Sequence, residues 1–69
     1  QQEEYQAKIK RLADIYTAME VEKAADVLSQ LDRKLTIDVL KRMDQEVVAE
    51  ILNVMPTKQA VEISDQLSN

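Results

Sequence analysis

The feature that most constrains this chain is an internal repeat of 12 residues. One aliphatic column of the repeat holds Ile15, Val27, Val39, Ile51 and Ile63. A second column, four residues further on, holds Met19, Leu31, Met43, Met55 and Leu67. The residue before the first column is always acidic: Asp14, Asp26, Asp38, Glu50, Glu62. A fixed period of this kind is typical of a single structural unit that is stacked several times.

A period of 12 does not suit one continuous helix. Twelve residues at about 100° each end about 120° beyond three full turns, so equivalent positions would spiral round the helix and form no seam. Long coiled coils favour periods of 7 or 11 instead. We therefore expect one short helix and one short turn in each repeat. The predicted helices are 3–18, 21–30, 33–42, 45–54 and 57–67.

Local signals support breaks between these helices. Asp32 and Asp44 suit N-cap positions, where a carboxylate accepts from free backbone N–H groups. Pro56 cannot continue a helix from Met55. Glu20, at the first break, is a weaker cap. The chain has no glycine and many strong helix formers, which predicts an all-α fold.

The first helix is longer than the repeat. Its apolar stripe has heptad-like spacings of 4, 3, 4 and 3 and consists of Tyr5, Ile9, Leu12, Tyr16 and Met19. We interpret residues 1–18 as the end of a coiled-coil-like helix that packs as the first helix, and residues 19–69 as a four-repeat helical domain. The stripe would allow a homodimer through helix one. The alternative is an ordinary amphipathic helix that caps the bundle.

Charge alternates between successive helices. Four residues before each acidic position lie Lys10, Glu22, Lys34, Glu46 and Lys58. Helices one, three and five can therefore form ion pairs at i,i+4, whereas helices two and four carry like-charged pairs. The alternation indicates that neighbouring helices lie in different layers.

Composition argues against several functions. The chain has neither histidine nor cysteine, which removes the common zinc ligands and the usual base that activates a serine. Its net charge of −4 and scattered basic residues argue against a nucleic-acid partner. We expect no enzymatic activity and no cofactor, apart from weak Mg²⁺ binding.

Two sets of residues are candidate binding sites. Pairs of carboxylates on one helix face could hold a hard cation such as Mg²⁺, and the pairs are Glu22 with Asp26 and Glu46 with Glu50. The alternative is that these acids form solvated helix faces. Apolar residues beyond a single stripe could instead contact another protein. The partner-binding candidates are Tyr5, Ile9, Tyr16, Ile37, Val48 and Val54; the alternative is a broad core face.

The repeat resembles that of a known superfamily. The stretches IYTAMEVEKAADVLSQLD, IDVLKRMDQEVVAEILNVM and PTKQAVEISDQL are similar to the helical repeats of MgtE N-terminal domains. Within that superfamily the IYTAM entry after a heptad-like helix most resembles the C-terminal domain of MotE/YlxF-type flagellar proteins. The resemblance implies a right-handed superhelical array of five short helices.

The same resemblance implies a function and a setting. The MotE/YlxF branch implies a non-enzymatic chaperone or scaffold domain that binds a flagellar motor or export component, in a membrane-anchored or periplasmic parent chain. The alternative is a Mg²⁺-sensing, cytoplasmic regulatory domain of an MgtE-type magnesium transporter. Because the chain begins with Gln1 rather than Met, we expect a processed chain or a fragment of a longer one.

Overall fold

The computed structural model describes residues 2–69 as five helices with no strand among them. They are α1 (Gln2–Ala18), α2 (Val21–Gln30), α3 (Arg33–Lys41), α4 (Gln45–Asn53) and α5 (Thr57–Leu67). The predicted all-α fold is confirmed, and each predicted helix end lies within one residue of the observed end. Position 1 of the predicted segment 1–18 lies outside the described residues.

The last four helices all begin in the same way. The residue before each of them is extended, with φ between −61° and −50° and ψ between 134° and 141°. These residues are Glu20, Asp32, Asp44 and Pro56. No residue from 2 to 69 has a positive φ, so the turns do not need glycine.

The two predicted aspartate caps differ in their side chains. Asp32 accepts a hydrogen bond from the backbone N–H of Leu35 at 3.2 Å, whereas the Asp44 side chain makes no capping bond. Both aspartates hold the N-cap position of their helix. The prediction of capping by a carboxylate is therefore confirmed only for Asp32.

Helices pack mainly against the next helix but one. Helix α3 lies between α1 and α5, and α2 packs against α4; α2 also contacts α1 and α3. Most contacts therefore join odd helices to odd helices and α2 to α4. The prediction that neighbouring helices lie in different layers stays a prediction. The right-handed superhelix stays a prediction. No helix among residues 2–69 is both long and apolar enough to cross a bilayer.

The core runs through all five helices. It includes three residues that the sequence assigns to a partner-binding surface. Each helix supplies at least one large aliphatic side chain that is almost fully buried: Ile9, Leu28, Leu40, Ile51 and Ile63, with Val39 as a second one in α3. Tyr16 and Ile37, which the sequence assigns with Ile9 to a partner surface, are each only 8% exposed. That assignment is wrong for these three residues. A helix packed on two sides buries two apolar stripes, so Ile37 belongs to the core.

Residues from later helices donate hydrogen bonds to the C-terminal end of α2. The hydroxyl of Thr36, a buried polar side chain, donates to the Leu28 carbonyl at 2.8 Å. The Gln59 amide donates to the Ser29 carbonyl at 3.4 Å. The last carbonyls of a helix have no partner within it, so these two contacts from α3 and α5 satisfy groups that would otherwise stay free.

Candidate functional site

An open groove of about 650 Å³ lies between α1 and α3. Its walls combine apolar and charged side chains, because the heptad-like stripe of α1 meets the outward face of α3. Tyr5 and Ile9 come from α1, and Lys34, Asp38 and Arg42 come from α3 and its C-cap. It contains a polar network that joins the two helices.

Asp38 is the centre of this network. The Tyr5 hydroxyl donates to Asp38 Oδ2 at 2.6 Å, and Lys34 Nζ donates to the same oxygen at 2.9 Å. Lys34 Nζ also lies 5.4 Å from the centroid of the Tyr5 ring, within range of a cation–π contact. Nearby, Arg42 donates to the Gln6 side chain at 2.8 Å. These contacts fasten the first turns of α1 to α3.

The network shifts the pKa of each member. The hydrogen bonds from Tyr5 and then Lys34 hold the pKa of the Asp38 carboxyl below its ordinary value. The hydrogen bond to Asp38 raises the pKa of the Tyr5 phenol, because loss of the proton would place two negative charges together. The same carboxylate raises the pKa of Lys34. The three groups thus stabilise one another's ordinary charge states, an arrangement that suits positioning of helices.

The ion pairs follow the predicted alternation in two helices of three. Lys10 pairs with Asp14 at 3.2 Å, and Lys34 pairs with Asp38 at 2.9 Å. The predicted third pair, between Lys58 and Glu62, is absent from the described residues. Glu62 instead pairs with Arg33 of α3 at 3.4 Å, which ties α5 to α3.

The four candidate metal ligands lie on the two even helices. Glu22 and Asp26 line a small groove of about 190 Å³, which they share with Val54 at the end of α4. Glu46 and Glu50 are exposed on α4. From residue 2 to residue 69, no three acidic side chains come together in a group that could hold a metal ion. The two carboxylate pairs predicted from the sequence are therefore not joined by a third acidic side chain in the part of the chain that the structure describes.

Three of the partner-binding candidates retain some exposure. Tyr5 is half-buried in the α1/α3 groove, Val48 is half-buried on α4, and Val54 is 43% exposed. Their contact with a partner stays a prediction. Two apolar side chains outside the partner-binding candidates are also exposed, Ile15 at 46% and Val61 at 61%. The repeat columns could have pointed to them, since most other members of their two columns are buried.

The comparisons with known proteins give one match. No curated protein and no solved structure matches the chain. A family model described as the MgtE intracellular N domain matches residues 5–69, which include all but the first turn of the five-helix fold. The match covers the α1/α3 groove and both acidic pairs. The chain therefore belongs to the MgtE intracellular N domain family.

Proposed function

We propose that this domain is a non-enzymatic regulatory module that senses Mg²⁺, as an N domain of an MgtE-type magnesium transporter. The observation that carries the proposal is the family match over residues 5–69. No comparison supports the flagellar scaffold role that the MotE/YlxF-type resemblance implies.

The charges of the even helices support a response to a divalent cation. Glu22 and Asp26 on α2, and Glu46 and Glu50 on α4, are like-charged pairs at i,i+4, which destabilise an exposed helix. Mg²⁺ commonly binds through one or two carboxylates and keeps several waters. A pair on one helix can therefore supply a weak site, and neutralising it would favour the helix.

The packing of the even helices offers a way to transmit the response. Helix α4 packs chiefly against α2, and Ile51 is its one fully buried residue. The α2 pair faces the end of α4, where Val54 and Met55 share its groove. A cation bound by either pair would therefore change how firmly the two helices are held together, which a neighbouring domain could detect.

Amide chemical shifts test the proposal directly. Titration with MgCl₂ into the millimolar range should shift the amides around Glu22 and Asp26, or Glu46 and Glu50, in a saturable way. NaCl at the same ionic strength should not do so. E22Q/D26N and E46Q/E50Q should each remove the response of their own pair. D14N is the matched control, since Asp14 is already paired with Lys10, and it should respond like the parent.

Two results would overturn cation sensing. One is a response to MgCl₂ no different from that to NaCl. The other is an unchanged Mg²⁺ response in both double variants, which would place any bound cation elsewhere.

A further inference from the structure

The α1/α3 groove carries a charge opposite to that of the whole chain. Its walls contain three basic side chains, those of Lys34, Lys41 and Arg42. Asp38 is the one acidic residue among the described residues that line it, and Glu3 and Glu4 of α1 do not. Three positive charges and one negative charge give the groove a net charge of +2, whereas the chain carries −4.

Two of the three bases have no carboxylate partner. Lys34 is paired with Asp38. Arg42 donates to the neutral side-chain oxygen of Gln6 at 2.8 Å, so its charge is not neutralised. Neither Lys41 nor Arg42 takes part in an ion pair with another residue in the range 2–69. Two exposed and uncompensated cations in a groove attract an anion.

The repeat does not require these two cations. The positions equivalent to Lys41 hold Thr17, Ser29, Asn53 and Asp65, and those equivalent to Arg42 hold Ala18, Gln30, Val54 and Gln66. A basic residue near a helix C-terminus is favourable by itself, but α1, α2, α4 and α5 have none in their last turns. The pair is therefore particular to the helix that forms the groove.

The spacing of the bases favours an elongated ligand. Lys34 and Arg42 are eight residues apart, so the three basic residues are spread over about two turns of α3. Lys34 is also held in place by Asp38 and by the ring of Tyr5. An extended peptide places acidic side chains three residues apart at about 10 Å, which is close to the rise of two helical turns. A single small anion lacks that reach.

We infer that the α1/α3 groove binds an acidic peptide segment of a partner protein. Aspartate or glutamate side chains of the segment contact Lys41 and Arg42, and an apolar side chain between them packs on the half-buried Tyr5. The bond from Arg42 to Gln6 leaves other guanidinium N–H groups free, and a guanidinium suits a carboxylate because it can donate two parallel hydrogen bonds. Complementary charge gives such a contact its specificity.

Fluorescence anisotropy of the 69-residue chain with a labelled peptide tests the inference. The probe is Glu-Glu-Leu-Glu-Glu-Leu-Glu-Glu, and its control has glutamine in place of every glutamate. The acidic peptide should bind in a saturable way and more weakly as NaCl is added, since exposed charges are screened by salt. The glutamine peptide should not bind. In the parent chain the acidic peptide should shift the amides of residues 2–9 and 34–42 more than any others.

Two double variants with the same net charge locate the site. K41Q/R42Q should weaken binding about fivefold, which corresponds to the loss of two exposed ion pairs. K23Q/K58Q removes two cations that do not line the groove and should bind within about twofold of the parent. Circular dichroism should show the parent's helix content in both variants, because all four side chains are exposed.

Sodium pyrophosphate distinguishes a peptide site from a site for small anions. At matched ionic strength it should displace the labelled peptide no better than NaCl does, because it cannot contact bases along the whole groove. Displacement by pyrophosphate well beyond that by NaCl would show a small-anion site and overturn the peptide inference.

Three further results would overturn it. They are equal binding of the acidic and glutamine peptides, unchanged binding by K41Q/R42Q, and an equal loss of binding in K23Q/K58Q. The inference does not depend on Mg²⁺ sensing, because all of these measurements are made without a divalent cation.

Discussion

Helices α3 and α4 are consecutive repeats of the same length, nine residues, and both have aspartate at the N-cap. They differ in how firmly they are held. Helix α3 buries four residues, Thr36, Ile37, Val39 and Leu40, whereas α4 buries only Ile51. Yet α4 is the more apolar of the two, with five aliphatic residues among its nine.

The difference follows from their neighbours. Helix α3 packs against α1, α2 and α5, while α4 packs mainly against α2. The repeat therefore specifies a helix and its faces, but position in the array decides which faces are buried. Local contacts add to the contrast, since α3 has a capping carboxylate and an internal ion pair, and α4 has a pair of like charges.

The largest expected difference between α3 and α4 concerns two equivalent residues of one repeat column. Leu40 is 2% exposed and its equivalent in α4, Leu52, is half-buried. We expect L40A to lower the free energy of unfolding by about 2–5 kcal/mol, and L52A by roughly half as much or less. A domain of this size has only about 3–10 kcal/mol in total. Urea denaturation followed by circular dichroism measures both; equal losses would contradict the contrast.

The second test concerns the buried hydroxyl of α3. T36V keeps the shape of the side chain but leaves the Leu28 carbonyl without its donor, which should cost about 1–3 kcal/mol. T36S retains the hydroxyl and should lose less. The urea midpoints of the two variants decide the point, and a T36V midpoint above that of T36S would show that the hydrogen bond contributes little.

The third test compares the two N-caps. D32A removes the bond to the Leu35 N–H and should cost about 1 kcal/mol. D44A removes a side chain that makes no capping bond, so its cost should be no more than a few tenths of a kcal/mol. Thermal unfolding of the two variants side by side gives the comparison. If D44A proves the more costly variant, the capping difference does not hold in solution.

The smallest effects come from the charges. The folded-state pKa of Asp38 lies below its unfolded value of 3.8. Its contribution to stability is therefore fully present above about pH 4 and is lost as the pH falls through the folded-state pKa. D38N should lower the urea midpoint at pH 7, and the midpoints of parent and variant should converge on acidification.

E50Q, which removes a like-charge contact in α4, should raise the urea midpoint slightly.

Comparison of α3 with α4 also shows what could be predicted from sequence. The helix ends followed from the 12-residue period together with Asp32, Asp44 and Pro56, because these signals are local. The burial of Ile37 in the core could not be predicted in this way, since it depends on the helices that pack against α3. The bond from Tyr5 to Asp38 joins residues 33 positions apart, and no local pattern encodes it. Family membership was also foreseeable, because the apolar columns themselves carry the resemblance.

The hydrogen bonds at the C-terminal end of α2 have a consequence for the order in which the chain can fold. The carbonyls of Leu28 and Ser29 receive their donors from Thr36 and Gln59, which lie 8 and 30 residues further along the chain. As the polypeptide leaves the ribosome, α2 emerges before either donor. Its last turn therefore stays open to solvent until α3, and then α5, has been synthesised, so the second repeat is completed only when the fifth arrives.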